Sequence, residues 1–150
     1  MRWQWTSFSD LDLGTLYAVM RVRQEVFVVE QACAYLDADG ADPAAFHLLG
    51  WSDDTLVAYL RVFPPGTTDH PEAVIGRVII TEPHRGRGLS RALMHEAHAQ
   101  MARQWGDAPS WLSAQAHLEG LYRSLGYAVC GDGYDEDGIP HLPMRRPAST

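Results

Sequence analysis

Not one lysine occurs among the 150 residues; all twelve basic side chains are arginines, against nineteen aspartates and glutamates, for a formal net charge of −7. Neutralising polynucleotide phosphates needs a basic face, so this balance argues against nucleic-acid binding and favours a cationic partner. Two cysteines, Cys33 and Cys130, are too few for a disulfide framework and read as free thiols of a reducing compartment. Neither has the His/Asn company of a catalytic nucleophile. No apolar run reaches the roughly 18 residues a membrane-spanning helix needs. The opening Met1-Arg2-Trp3-Gln4-Trp5 has no apolar stretch of an export signal. A cytoplasmic protein with no membrane partner is expected. Repeats, low-complexity tracts and long linkers are missing too, so residues 1–150 are expected to form a single domain burying roughly 70% of its unfolded surface. A homodimer stays open.

What is present is ordinary globular material, 46% hydrophobic and 21% charged, which argues against disorder. Arg2 to Phe8 alternates aromatic and polar residues and predicts a half-buried strand. Ser9-Asp10 is expected to cap a helix whose core face carries Leu13, Leu16, Tyr17, Met20 and Val26-Phe27. Residues 31–45 have loop composition. Phe46–Trp51 and Leu56–Phe63 read as strands joined by the short turn Ser52-Asp53-Asp54, and Pro64-Pro65-Gly66 ends the second. Ala73–Thr81 is a strongly apolar strand interrupted by Gly76, where something can approach the backbone closely. A long helix follows, with Leu89, Ala92, Leu93, Ala97 and Met101 on one face. Trp111–Ala114 is a short buried strand. Leu118, Leu121 and Leu125 mark a helix stopped by Gly126. Tyr127–Cys130 and Ile139–Met144 read as closing strands around an acidic turn, 132–138. This order predicts an α/β fold around one mostly antiparallel mixed sheet.

The most informative segment joins the apolar strand to the long helix as Arg-x-x-Gly-x-Ser, from Arg85 to Ser90. Glycines let the backbone turn and expose successive N–H groups, and the helix N-terminus adds partial positive charge. Arg85, Arg87 and Arg91 crowd the same turn of an otherwise acidic chain. A pyrophosphate suits such convergent donors, whereas a Gly-rich turn with solvated arginines is the plainer alternative. The segment is neither a P-loop nor a dinucleotide fingerprint. No metal site is expected: His95-Glu96-Ala97-His98 has the wrong spacing, and Asp37-Ala38-Asp39-Gly40 is without the further ligands of a calcium loop.

Pro83-His84-Arg85-Gly86-Arg87-Gly88-Leu89-Ser90-Arg91-Ala92-Leu93 resembles the pyrophosphate loop of the GNAT superfamily of acyl-CoA-dependent N-acetyltransferases, usually written Arg/Gln-x-x-Gly-x-Gly/Ala, with Ser90 here at its last position. Leu118 to Tyr127 resembles the family's Ala-x-x-x-Tyr-x-x-x-Gly-Phe/Tyr segment. Phe27 to Gln31, Ser113 to Leu118 and Glu136 to His141 are similar to the ElaA-like branch, over nearly the whole chain. The resemblance implies a GNAT-like acyl-CoA N-acyltransferase fold of about seven strands, with helices on both faces and splayed central strands. It implies acetyl-CoA as co-substrate, bound by Arg85, Gly86, Arg87, Gly88, Leu89, Ser90 and Arg91, with pantetheine running along Val78, Ile79 and Ile80 and pairing with main-chain groups at Val78 and Ile80.

In that family the amine attacks the thioester directly, so the protein positions two substrates, drains a proton and returns one to the leaving thiolate. The resemblance points to Tyr122 as general acid. A packed aromatic is the structural alternative for any helical tyrosine. Glu25, Glu30, Glu82, His117 and His141 are candidates for a base, with water able to serve instead. Glu30, His117 and His141 are also candidates for the acceptor site. The acidic loops at Asp37–Asp42 and Asp132–Asp137 read either as solvated surface, the plainer reading, or as an attraction for an amine. The expected activity is N-acetylation of a primary amine, small molecule or peptide. An acyl-CoA-binding module without transfer is the alternative.

Overall fold

A computed structural model describes residues 1–148, so the last two positions of the expected 1–150 domain lie outside the described residues. Among the described residues eight strands form one sheet: β1 (Arg2–Ser7), β2 (Phe46–Ser52), β3 (Thr55–Phe63), β4 (Ala73–Ile80), β5 (Ser110–Gln115), β6 (Ala128–Val129), β7 (Tyr134–Glu136) and β8 (Ile139–Arg146). The spatial order is β1-β2-β3-β4-β5-β8-β6, with β7 also on β8. Every pairing is antiparallel except β4 with β5. The eighth strand comes from the segment expected to be only an acidic turn. Asp137 and Gly138 both take positive φ (53° and 79°) between Glu136 and Ile139, the two-residue reversal that suits a tight hairpin.

Helices cover both faces. On one side α2 (Leu89–Trp105) and α3 (Glu119–Ser124) pack over Leu48, Leu60, Val62, Ile75 and Leu112. On the other, α1 (Leu13–Arg23) and a following π-helical turn (Gln24–Glu30) pack over Leu49, Tyr59 and Ile79. Strands β2 and β3 are apolar almost throughout because both their faces are buried, so neighbours such as Leu48 and Leu49 enter different cores.

Two expectations for the first helix are corrected. The cap is Asp12, whose carboxylate accepts the Thr15 N–H at 2.7 Å, while Phe8–Asp10 forms a short 3₁₀ turn of its own. The buried face carries Val19, Val22, Arg23 and Val26; Leu13 and Tyr17 are 86% and 74% exposed. Two stripes of helical period compete on this helix, and the one that wins contains an arginine with 0% exposure.

Arg23 is tolerated there because the loop 31–45 folds over it. Its Nη1 donates to Asp42 at 2.6 Å, its Nε to Asp37 at 2.8 Å and its Nη2 to the Asp37 carbonyl. Asp42 also accepts from Arg61 of β3 at 2.8 Å, and Asp37 from Arg77 of β4 at 2.9 Å. Asp39 binds Arg61 at 2.7 Å and Arg77 at 3.4 Å. Three guanidinium groups therefore face three carboxylates, and this acidic loop is not solvated surface: Asp37 and Asp42 are buried. The hydrogen bond from Arg61 holds the Asp39 carboxyl well below the usual range. Burial alone would push Asp42 up, but hydrogen bonds from Arg23 and Arg61 pull it down.

Asp42→Ala leaves the Arg23 and Arg61 charges buried without their shared partner, and we predict a loss of about 3–5 kcal/mol in urea unfolding. A loss below about 1 kcal/mol would mean that both guanidiniums find other partners. Because Asp39 and Asp42 are depressed in the folded state, their contribution is complete above the ordinary aspartate value of 3.8 and is withdrawn as pH falls below it. Thermal unfolding followed as a function of pH should accordingly show Tm falling steeply only on that acid side.

Candidate functional site

Strands β4 and β5 pair only at Ala73↔Ser110, Val74↔Trp111 and Ile75↔Leu112. Beyond Gly76, β4 stays with β3, while β5 follows β8 as far as Gln115↔His141. The two parallel strands part, and a cleft of about 750 Å³ opens between them.

A bulge shapes the β4 wall. Its register with β3 runs from Arg61↔Gly76 to Tyr59↔Ile79, so Arg77 and Val78 face only Leu60. Arg77 takes φ 54°, an unfavourable conformation for a residue with a Cβ. Its bonds to Asp37 and Asp39, and its guanidinium lying 5.6 Å from the Tyr35 ring, hold it there. The Tyr35 phenol, itself bonded to Asp37, is pushed up to about 12 by burial. The loop 31–45 thus becomes a wall of the cleft through Tyr35 and Asp39. Cys33 Sγ meets the Asp137 carbonyl at 3.4 Å and joins this wall to the β7–β8 hairpin.

At the C-terminal end of β4 the chain turns through Glu82–His84 into the glycine loop. Gly86 and Gly88 have φ of 77° and 76°, the left-handed region, and Gly88 precedes the first turn of α2 with no side-chain cap. Among the described residues no acceptor takes the N–H groups of Leu89, Ser90 and Arg91. These free donors at the end of a 17-residue helix can hold an anion. Arg87 and Arg91 are exposed beside them. Arg85 turns away from that cluster. Its Nε donates to the Ile80 carbonyl at 2.9 Å and its Nη2 pairs with Glu30 at 2.8 Å. It ties the loop to β4 and to the π-helical turn.

Tyr122 lines the opposite wall from α3, with Leu118 and Leu121. It is 4% exposed and packs edge-on against Tyr127. Among the described residues nothing hydrogen bonds its hydroxyl. Burial pushes its phenol up to about 12, so it keeps its proton at neutral pH.

The structure brings most of the expected residues together. Val78, Ile79, Ile80, Arg85, Ser90, Glu30, His117, His141 and Tyr122 all line the cleft, although the Ile79 side chain packs under α1. Glu25 pairs with Arg21 on the surface, and Glu82 is exposed. Among the described residues no cluster of three or more His, Cys, Asp or Glu could hold a metal ion, and no helix is long and apolar enough to cross a membrane.

A family profile described as acetyltransferase (GNAT) domain matches residues 16–147. The chain belongs to the GNAT acetyltransferase family. Protein ElaA of Escherichia coli K12 is 43% identical over 148 residues, covering 97% of this chain and 96% of its own. The crystal structure of an acyl-CoA N-acyltransferase from Pseudomonas aeruginosa superposes with a TM-score of 0.91 at 42% identity, covering 97% of this GNAT chain and 99% of that one. The crystal structure of Escherichia coli ElaA gives 0.90 at 41%, covering 97% and 98%. An aminoglycoside 6'-N-acetyltransferase complexed with coenzyme A, 13% identical, shares the fold alone, with a TM-score of 0.72 and 96% of each chain covered.

Sequence reasoning missed Arg61, Arg77, Asp39 and Tyr35 as cleft residues. One signal was available: a Gly-Arg pair inside an otherwise apolar strand marks a bulge. Nothing local marks the partners that come from the distant loop.

A Cβ at Gly86 or Gly88 would meet nothing within 4 Å, so the constraint there is backbone angle and not space. We predict that Gly88→Val, which opposes the left-handed angle and turns the free N–H groups aside, raises KM for the acyl-CoA at least about 10-fold while acceptor KM changes little. Unchanged cofactor affinity in the folded variant would move the anion site elsewhere.

Proposed function

We propose that the protein is an acetyl-CoA-dependent N-acetyltransferase that moves the acetyl group directly from CoA to a primary amine of a small-molecule or peptide acceptor. The carrying observation is Tyr122: a buried phenol, fully protonated, with no partner for its hydroxyl among the described residues, on the wall of the cleft that the parting of β4 and β5 creates. A packed aromatic in a protein core ordinarily finds a partner for its hydroxyl. This one is left for a substrate.

The residues fit the co-substrate. The free N–H groups at the start of α2, with Gly86, Gly88, Arg87 and Arg91, are suited to the pyrophosphate. Val78, in the bulge and outside the β3 register, offers main-chain groups at the depth of the cleft. Acetyl-CoA supplies an electrophilic thioester carbonyl. The chain's part is to orient it against the amine, exclude water and return a proton to the departing sulfur. Tyr122 would give its proton to that sulfur and recover one, through water, from the nitrogen as the amide forms. A phenol near 12 is a weaker acid than an ordinary thiol near 8.5. The gap narrows here because the same desolvation that raises the phenol also raises a thiol sharing its pocket. Glu136 and Asp137 put carboxylates on the wall where a cationic amine would enter.

Tyr122→Phe keeps the ring and its contact with Tyr127 and removes a hydroxyl that bonds to none of the described residues, so Tm should hardly move. We predict a kcat loss of about 10²- to 10⁴-fold with acetyl-CoA affinity within about 5-fold of wild type. The loss should shrink with an acyl donor whose thiol is more acidic. Release of free CoA thiol across an amine panel gives the readout. Near-normal kcat in the folded variant, with chemistry limiting, would make Tyr122 a packed aromatic. Tight acetyl-CoA binding by the wild type with no turnover on any amine would favour a binding module.

A further inference from the structure

We infer that His141 takes the proton from the acceptor ammonium, and that Glu136 receives the resulting imidazolium charge. The inference rests on reading the cleft as an N-acetyltransferase site and adds the base which that reading leaves unassigned.

His141 lies between two strand partners, Gln115 of β5 and Tyr134 of β7. It is only 8% exposed, yet it lines the cleft. The Tyr134 ring stacks on it at 6.2 Å with a 16° interplanar angle, and the Tyr134 hydroxyl is hydrogen bonded to Ser113 of β5. The imidazole is therefore held at a fixed angle. Its Nδ1 stands 2.7 Å from the Ile139 carbonyl oxygen. A carbonyl can only accept, so Nδ1 carries the hydrogen and the neutral ring presents a bare lone pair at Nε2. Opposite Nε2, at 3.3 Å, is a Glu136 carboxylate oxygen. Two acceptors then face one another with no hydrogen between them. The contact becomes a hydrogen bond only when Nε2 gains a proton.

The structural histidine His47 shows the contrast. There Nε2 donates to the Asp42 carbonyl at 3.1 Å and Nδ1 accepts from the Tyr59 hydroxyl at 2.7 Å, so both nitrogens are satisfied in the neutral ring. In the neutral His141 ring only Nδ1 is bonded, to the Ile139 carbonyl, and Nε2 faces Glu136. Glu136 and Tyr134 of β7 contact it directly, and the other titratable groups lining the same cleft are Asp137, His117, Tyr122, Glu30, Cys33, Tyr35, Asp39 and Arg85. The guanidiniums of Arg61 and Arg77 across the cleft are already bound to Asp37, Asp39 and Asp42.

Protons balance with this assignment. Nε2 takes one from the ammonium, and the freed amine forms the C–N bond as the C–S bond breaks. Tyr122 protonates the sulfur and is reprotonated from the nitrogen. The imidazolium then loses its proton to water, which leaves an amide, a thiol and one released proton.

Two measurements test this. Nitrogen-edited NMR of the imidazole in the wild-type protein should show the neutral ring protonated on Nδ1; a proton on Nε2 overturns the inference without any assay. In kinetics, His141→Asn should lose the acid limb of the kcat/KM profile. It should lose about 10²-fold or more with a primary alkylamine, but far less with an arylamine, which is already neutral at the assay pH. Glu136→Gln, at a half-exposed position that should fold normally, should lower kcat/KM with the alkylamine while leaving the arylamine rate near wild type; equal losses with both amines count against a role for Glu136. A folded His141→Asn enzyme with the wild-type limb overturns the inference while leaving the acetyltransferase reading intact. Wild-type protein that acetylates no amine fails the broader reading instead.

Discussion

Keeping the Arg23 charge inside the protein constrains everything on the α1 side of the sheet. A guanidinium with 0% exposure is stable only if carboxylates follow it into the interior, and α1 offers none on that face. Asp37 and Asp42 arrive from the loop 31–45. Once buried, they draw in Arg61 and Arg77 from neighbouring strands, and Asp39 closes the set. The loop is pinned to helix and sheet by charge, and from there it walls the cleft. Arg77 carries the constraint into the strand. Its left-handed backbone is unfavourable by itself, and the carboxylates of the loop hold the bulge that the cleft requires.

The cleft has a second, independent origin in the sheet. Two parallel strands share three register pairs and then follow different antiparallel partners, β4 staying with β3 and β5 with β8. Each strand satisfies its outer edge, and the inner edges separate. Arg85 works at the mouth of the gap. By bonding to Ile80 and Glu30 it fixes the loop against β4 and the π-helical turn, beside the first N–H groups of α2. Arg85 thereby braces the donors beside it.

Element order, helix coverage of both faces and the parting of β4 from β5 are legible in the sequence, because each rests on a local pattern or on the family resemblance carried by residues 83–93 and 118–127. The place of the glycine loop before α2 and of Tyr122 on the helix after β5 is legible for the same reason. The α1 face is not. Leu13, Leu16, Tyr17 and Met20 make a better apolar stripe than Val19, Val22, Arg23 and Val26, and hydrophobic periodicity alone selects the wrong one. The deciding interaction is Arg23 with two aspartates 14 and 19 residues later, a separation no local pattern reports. The acidic loop misleads likewise: aspartates read as solvated unless a buried cation is known to await them. Strand β7 escapes because its three residues are all exposed, so burial leaves no alternation to read.

Two titratable side chains reach the cleft from different surroundings. The split sheet supplies both environments. Tyr122 enters from α3, among Leu118, Leu121 and Tyr127, where desolvation acts alone and, among the described residues, nothing accepts its hydrogen. That environment favours the neutral, proton-bearing form. His141 enters from β8, where a carbonyl fixes one nitrogen and a carboxylate stands opposite the other. The two side chains come from elements joined through β5, since α3 follows it in sequence and β8 pairs along its length to Gln115. A single strand therefore sets the spacing between the phenol and the imidazole, and β4, which carries the bulge, faces both across the gap.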